Sequence, residues 1–317
     1  MTAQIYIFNL ISRIFVEIYF FFCLSGATAE SATVKHNKYI MKKYPCVLSI
    51  AGSDCSGGAG IQADIKTISA AGVYAASAVT AVTVQNTCGV SDVFPVPPQY
   101  IAAQIKAVMS DIHPDAVKIG MVSDADTVRA IAECLSRFKP RYIVFDPVMV
   151  SSSGRKLMSD EAVTVICQEL FPLCTLITPN IDEASMLLQR KITTVDEMKA
   201  AARELLRYGS GAVLLKGGHL EGERMTDILQ EKQAELPVAF DSQKVDSHNT
   251  HGTGCTLSSA IAARLALGYT LAEAVGSGKD YVHHCLESGK DVHIGEGHGP
   301  MNHLYAPEPM HIFDEKE

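Results

Sequence analysis

From residue 45 onward the chain alternates short, almost wholly apolar runs with longer amphipathic ones, and this alternation restricts the fold more than any other feature. The apolar runs 46–51, 77–84, 116–119, 142–145, 176–178 and 212–216 are rich in Val, Ile and Ala. Their continuity is that of strands buried on both faces. Between them lie segments with helical spacing at 59–71, 98–110, 125–137, 159–169, 181–188 and 194–208. A weaker strand at 227–230 follows, then a polar stretch, 231–250, with room for a short antiparallel pair. Helices at 253–267 and 271–287 complete the pattern. Repeated βαβ units predict an α/β domain with a mostly parallel central sheet and helices on both faces, a three-layer αβα arrangement.

The first forty residues do not share this pattern. Residues 5–24, IYIFNLISRIFVEIYFFFCL, are strongly apolar but carry Arg13 and Glu17, and SGATAES follows. Two charges near the middle of a membrane span would each cost about 3 kcal/mol, which argues against an anchor. A signal peptide would carry its basic residues before the apolar run, and Arg13 lies inside it. The preferred reading is translation starting at Met41, where Met41-Lys42-Lys43-Tyr44-Pro45 leads directly into the first strand. Residues 1–43 are therefore set apart as an extension, 44–306 form the expected domain, and 307–317 form a tail.

Composition removes several function classes. The 317 residues carry a net charge of -8 and no Trp. A nucleic-acid protein needs a basic face for phosphates, and single-strand binders need aromatic platforms, so no nucleic-acid partner is expected. The nine cysteines are scattered without a CxxC pair, which suits reduced thiols rather than a disulfide framework or a zinc site. No membrane partner is expected of the domain.

In sheets of this kind ligands bind at the carboxyl ends of the strands. Those ends read Gly52-Ser53-Asp54, Gln85-Asn86, Gly120-Met121, Asp146-Pro147, Pro179-Asn180 and Gly217-Gly218. Gly58-x-Gly60-x-x-Ala63 fits a dinucleotide fingerprint in form, but the second strand ends in Gln85-Asn86 and not in the acid that would bind a ribose. The sharper motif is His251-Gly252-Thr253-Gly254-Cys255 at the start of a helix. Gly252 and Gly254 leave amides free at the positive end of the helix dipole, making an anion hole without the P-loop pattern. Cys255 in the first turn is expected to have a lowered thiol pKa, and reads either as a base or as a small packing residue. Asn180 and Glu183 read as a capping box, compatible with a second role near a metal. Asp146 is another carboxylate at a strand end, and one or two carboxylates plus phosphates are what Mg²⁺ takes. Lys216 ends a buried strand, and reads either as the partner of a bound phosphate or as a lysine snorkelling out at the strand end. The GEGHGPMNH segment, 295–303, reads as a structured loop.

The segments AGSDCSGGAGIQADIKT, TAVTVQNT, KIGM, DPVM, LITPNIDEA, LLKGGH, NTHGTGCTLS and GHGP occur in one order over residues 45–305. With them the chain resembles the hydroxymethylpyrimidine/phosphomethylpyrimidine kinases of thiamin biosynthesis, in the ribokinase-like superfamily. That resemblance implies ATP-dependent phosphorylation of an aminopyrimidine alcohol and then of its monophosphate, with Mg²⁺, in a cytoplasmic homodimer. It implies that Gly52, Asp64, Gln85, Met121 and Val148 line the pyrimidine pocket. It gives Asp146 and Glu183 to Mg²⁺, and Asn180, Lys216, Thr253 and Lys279 to the nucleotide phosphates. Gly252 and Gly254 would form the anion hole, with Cys255 as base where many sugar kinases of the superfamily carry Asp. The nearest alternative is a pyridoxal kinase of the same branch, whose members lack the Gln-Asn-Thr run and tend to lose the lysine of KGGH. A non-catalytic exported binding protein, suggested only by residues 1–30, is opposed by Asp146, Glu183 and Cys255.

Overall fold

The computed structural model describes residues 41–149, 158–218 and 224–314. The expectations for residues 1–40, and His219 of the LLKGGH motif, lie outside the described residues. Among these residues a nine-stranded sheet runs in the order β10-β9-β8-β7-β6-β5-β2-β3-β4. The strands are β2 (Cys46–Asp54), β3 (Tyr74–Asn86), β4 (Gly89–Pro95), β5 (Ala116–Ile119), β6 (Tyr142–Phe145), β7 (Leu176–Ile177), β8 (Ala212–Leu215), β9 (Arg224–Glu231) and β10 (Val238–Gln243). A separate ladder pairs β1 (Lys42–Lys43) antiparallel with β11 (Phe313–Asp314). Strands β2, β3 and β5 to β8 pair in parallel, while β4, β9 and β10 join antiparallel.

The parallel strands bury both faces, as their composition requires. Leu48 and Ile50 of β2 and Val117 and Ile119 of β5 face one apolar core, which also takes Ile101 and Ile105. That core is covered by α2 (Pro98–Asp111), α3 (Ala125–Phe138), α4 (Asp160–Val165), α5 (Ile181–Leu188) and α6 (Val195–Leu205). Val47, Ala116 and Val144 face the other core, under α1 (Gly60–Ala70), α7 (Thr253–Ala266) and α8 (Leu271–Gly289). Each Leu or Ile so enclosed contributes about 1.5–3 kcal/mol relative to exposure.

The structure departs from the expected elements in four places. The helix expected at 159–169 is α-helical only to Val165, then widens into a π turn and a short 3₁₀ turn that carries Pro172. Proline cannot extend a helix ladder, so the chain leaves it there. The GVSDVFP segment, expected as connection, is strand β4, an edge strand with exposed Phe94. The strand at 227–230 is twice that length and antiparallel, and in place of a pair within 231–250 a single strand, β10, lies there and pairs with β9. Finally, Lys42, Lys43 and the described part of the C-terminal segment, 307–314, are held to the domain. Besides the β1–β11 ladder, Glu308 N donates to Ala70 O (2.8 Å), and Arg264 pairs with Glu308 (2.7 Å).

Candidate active site

The polar strand ends converge on the first turn of α7, and three linked groups of side chains can be built there. The first group surrounds the anion hole. α7 has no side-chain cap, so the amides of its first turn are left for a ligand. Its N-cap, Gly252, adopts φ +83°, which favours glycine, and any side chain would run into the Gly58 carbonyl. The glycines thus seat the HGTGC turn against the loop after β2, besides freeing amides. A methyl group on Gly254 would stand 3.1 Å from Asp146 Oδ2 and 3.3 Å from Lys216 Nζ. Lys216 Nζ donates to Asp146 Oδ1 at 2.6 Å, and Thr178 Oγ1 donates to the same oxygen at 3.0 Å. Burial pulls the Lys216 ammonium down, but Asp146 and Glu183 outweigh it and hold its pKa above the ordinary lysine value.

Asn180 and Glu183 form the expected capping box. Asn180 Oδ1 accepts from Glu183 N and Glu183 Oε2 from Asn180 N, both at 2.8 Å. Met149 N donates to Glu183 Oε1 at 3.4 Å, which draws the DPVM turn to the same place. Burial raises the Glu183 carboxyl to about 7, against the Lys216 cation and with help from the Asp146 charge. Asp146 and Glu183, the latter kept partly protonated mainly by burial, form a donor set suited to a divalent cation. Thr253 opens α7 beside Gly254, half-buried.

The second group gathers the residues expected to meet the pyrimidine. Gly52 and Met121 meet there, since a Cβ on Gly52 would lie 2.9 Å from Met121 Cε. Thr80 Oγ1 donates to Met121 O (2.7 Å), and half-buried Val148 stands two residues beyond Asp146. The Gln85 amide is held at both ends. Thr83 Oγ1 donates to its Oε1 (3.1 Å), and its Nε2 lies 3.0 Å from His251 Nε2. That His251 nitrogen also lies 3.0 Å from Asp54 Oδ2. Burial alone would raise Asp54, but the bonds from His251, Ser56 and Ala59 win and hold it well below the usual carboxylate range. The sequence reading missed Asp54 and His251 in this role, although both lie inside motifs it singled out. The expected loop at 295–303 braces the same turn: His251 N donates to Gly299 O (3.2 Å) and Gly297 N to Thr87 Oγ1 (3.1 Å).

The third group was not foreseen. Lys118 and Asp64 form an ion pair with 0% exposure on both side chains. Lys118 Nζ lies 2.8 and 2.9 Å from the two Asp64 oxygens. Ser49 Oγ (2.6 Å) and Ser259 Oγ (2.8 Å) donate to the same carboxylate. Asp64 is therefore wholly buried with its oxygens taken up within the protein, and does not face the substrate as the resemblance implied. Cys255 is half-buried above this pair, and its thiol pKa is raised rather than lowered. Burial is the largest cause, and it outweighs the Lys118 cation and the Gly60 amide. Lys279 is likewise committed. It pairs with Asp227 at 2.7 Å, and Asp227 also accepts from Gly217 N (2.8 Å), so Lys279 joins the Lys216 end through a carboxylate.

The phosphomethylpyrimidine kinase family model matches residues 54–302. The chain belongs to the phosphomethylpyrimidine kinase family. It is 48% identical over 259 residues to the hydroxymethylpyrimidine/phosphomethylpyrimidine kinase of Rhizobium meliloti, covering 81% of this chain and 96% of that one. The crystal structure of a Clostridium difficile phosphomethylpyrimidine kinase is 47% identical, with TM-score 0.68, covering 76% of this chain and 99% of that one. A pyridoxal kinase of Staphylococcus aureus, solved with AMP-PCP and pyridoxal, is 31% identical with TM-score 0.75, covering 83% and 94%. The fold is thus the ribokinase-like one, and the enzyme is a phosphotransferase of thiamin biosynthesis. No helix among the described residues is long and apolar enough to cross a membrane.

Proposed function

We propose that the protein transfers the γ-phosphoryl group of ATP to 4-amino-5-hydroxymethyl-2-methylpyrimidine, and then a second one to the monophosphate. The observation that carries this reading is the meeting of Gly254, Asp146 and Lys216 at the uncapped end of α7, with the Gln85 amide joined to the same turn through His251. An amide offers both donor and acceptor, as an aminopyrimidine edge requires. Gly52, Met121 and Val148 supply the apolar walls. Asn180, Thr253 and Lys216 serve the phosphates, with Lys279 acting through Asp227.

Phosphoryl transfer passes through a loose transition state, so catalysis is mainly positioning and charge stabilisation. The α7 amides and Lys216 face the oxygens on which charge develops. The alcohol oxygen bonds to phosphorus, the bond to ADP breaks, and the alcohol proton goes to Cys255 Sγ. Only the thiolate can take that proton, and a raised thiol pKa makes it a strong acceptor once formed. Asp146 and Glu183 would hold Mg²⁺, which supplies charge neutralisation for the phosphates when bound. The free thiols and the use of ATP suit a cytoplasmic enzyme. Exposed Val82, Val84 and Phe94 on β3 and the edge strand β4 suit a homodimer contact, which sedimentation would test as a particle of twice the chain mass.

Mass analysis of products after incubation with the pyrimidine alcohol and Mg-ATP should show additions of one and then two phosphoryl groups. Steady-state comparison with pyridoxal should give the higher kcat/KM for the pyrimidine. The reverse preference would assign the chain to the pyridoxal branch.

A further inference from the structure

Lys118 and Asp64 are buried beneath the site, and their placement ties them to one residue of it. Lys118 stands mid-β5, flanked by Val117 and Ile119 on the opposite face, and lies beside Ser49 of β2 in the sheet register. Asp64 comes from α1 and Ser259 from α7. Ser259 follows Cys255 by four residues, so both occupy one face of α7. The bond from Ser259 to Asp64 therefore sets the ion pair one helical turn from the thiol. Stability alone does not call for such a pair, since apolar side chains of similar volume often serve as well.

We propose that Lys118 and Asp64 are positioning residues for Cys255: the ammonium favours the thiolate that takes the alcohol proton, and Asp64, fixed by two serines, sets where that ammonium stands. This rests on the kinase reading above. Lys118 keeps its proton throughout and transfers nothing. The charged groups around the sulfur are Lys118 from β5, Asp64 from α1, Asp146 beyond β6 and Lys216 beyond β8. Lys118 favours the thiolate more strongly than Asp64 opposes it. Removing both should therefore disfavour the thiolate, whereas removing only the Asp64 charge should favour it.

The test is the rate of Cys255 alkylation by iodoacetamide over a range of pH, read by peptide mass on the full-length protein. The charge-neutral double variant Lys118→Met/Asp64→Asn should react about tenfold more slowly at a given pH, and Asp64→Asn about tenfold faster, each tenfold being one pKa unit of the thiol. Thermal melting shows whether each variant is folded. An unchanged or faster rate in the double variant overturns the proposal, as does a slower rate in folded Asp64→Asn. In the kinase assay the acid limb of kcat should follow the alkylation midpoint while KM holds. If the wild type phosphorylated neither alcohol, the kinase reading would fail, and the alkylation series would still decide the coupling.

Discussion

Lys118→Met should lower the stability of the protein by about 3–5 kcal/mol, because it leaves the Asp64 carboxylate buried without its cation. Both side chains have 0% exposure, so water cannot replace the lost partner. Ser49 and Ser259 would still donate to the carboxylate, but two hydroxyls do not neutralise a charge. In a chain of this length the loss corresponds to a fall in Tm of roughly 10 °C. Adding Asp64→Asn should recover most of it, since the amide keeps an acceptor for the serines and removes the charge. Denaturant unfolding of wild type, single and double variants gives the three numbers. If the single variant were as stable as wild type, the pair would not hold α1, β5 and α7 together.

This pair also shows where the sequence was hard to read. Lys118 lies inside KIGM, a strand whose apolar neighbours hid it. The available signal was the alternation itself: Val117 and Ile119 point to one face, so Lys118 had to point into the other, beneath α1 and α7. A lysine in such a place is almost never buried without a partner. The family resemblance gives Asp64 to the pocket wall, yet on α1 its side chain turns inward to Lys118. The Cys255 thiol was misjudged in sign for a related reason. A helix end contributes about 0.3–1 kcal/mol, whereas burial can move a pKa by several units. Strand β4 escaped notice because GVSDVFP is an exposed antiparallel edge without the continuous apolar character of its parallel neighbours. What was legible was periodic or capped. The Asn180–Glu183 box and the parallel strands were clear because each obeys a local rule that tertiary packing did not override.

Lys216→Met should reduce kcat by about 10²–10³, the loss expected when one preorganised group that stabilises transition-state charge is removed. The Lys216 ammonium stands 2.6 Å from Asp146 and close to the Gly254 backbone, where a transferring group would lie. KM for the alcohol should change much less, because the Gln85 pocket is built from other strands. The same change should alter the pH response through Glu183. Burial lifts that carboxyl from the ordinary value of 4.5 to about 7, and Lys216 is the charge that opposes the rise. Without Lys216 the carboxyl stays protonated to higher pH, so the acid limb of the rate profile should move upward. The effect on stability has the opposite sense to that of a paired carboxylate. A group whose folded pKa is raised contributes fully below its unfolded value and loses that contribution as pH rises through the folded one. The ligand-free protein should therefore lose stability between about pH 4.5 and pH 7, and Glu183→Gln should flatten that decline. Mg-nucleotide, which favours the ionised carboxylate, should restore stability most at the alkaline end of the window. Thermal melting of both proteins across this range, with and without Mg-ATP, separates the two contributions. A Lys216→Met enzyme with wild-type kcat would remove the lysine from the phosphoryl site.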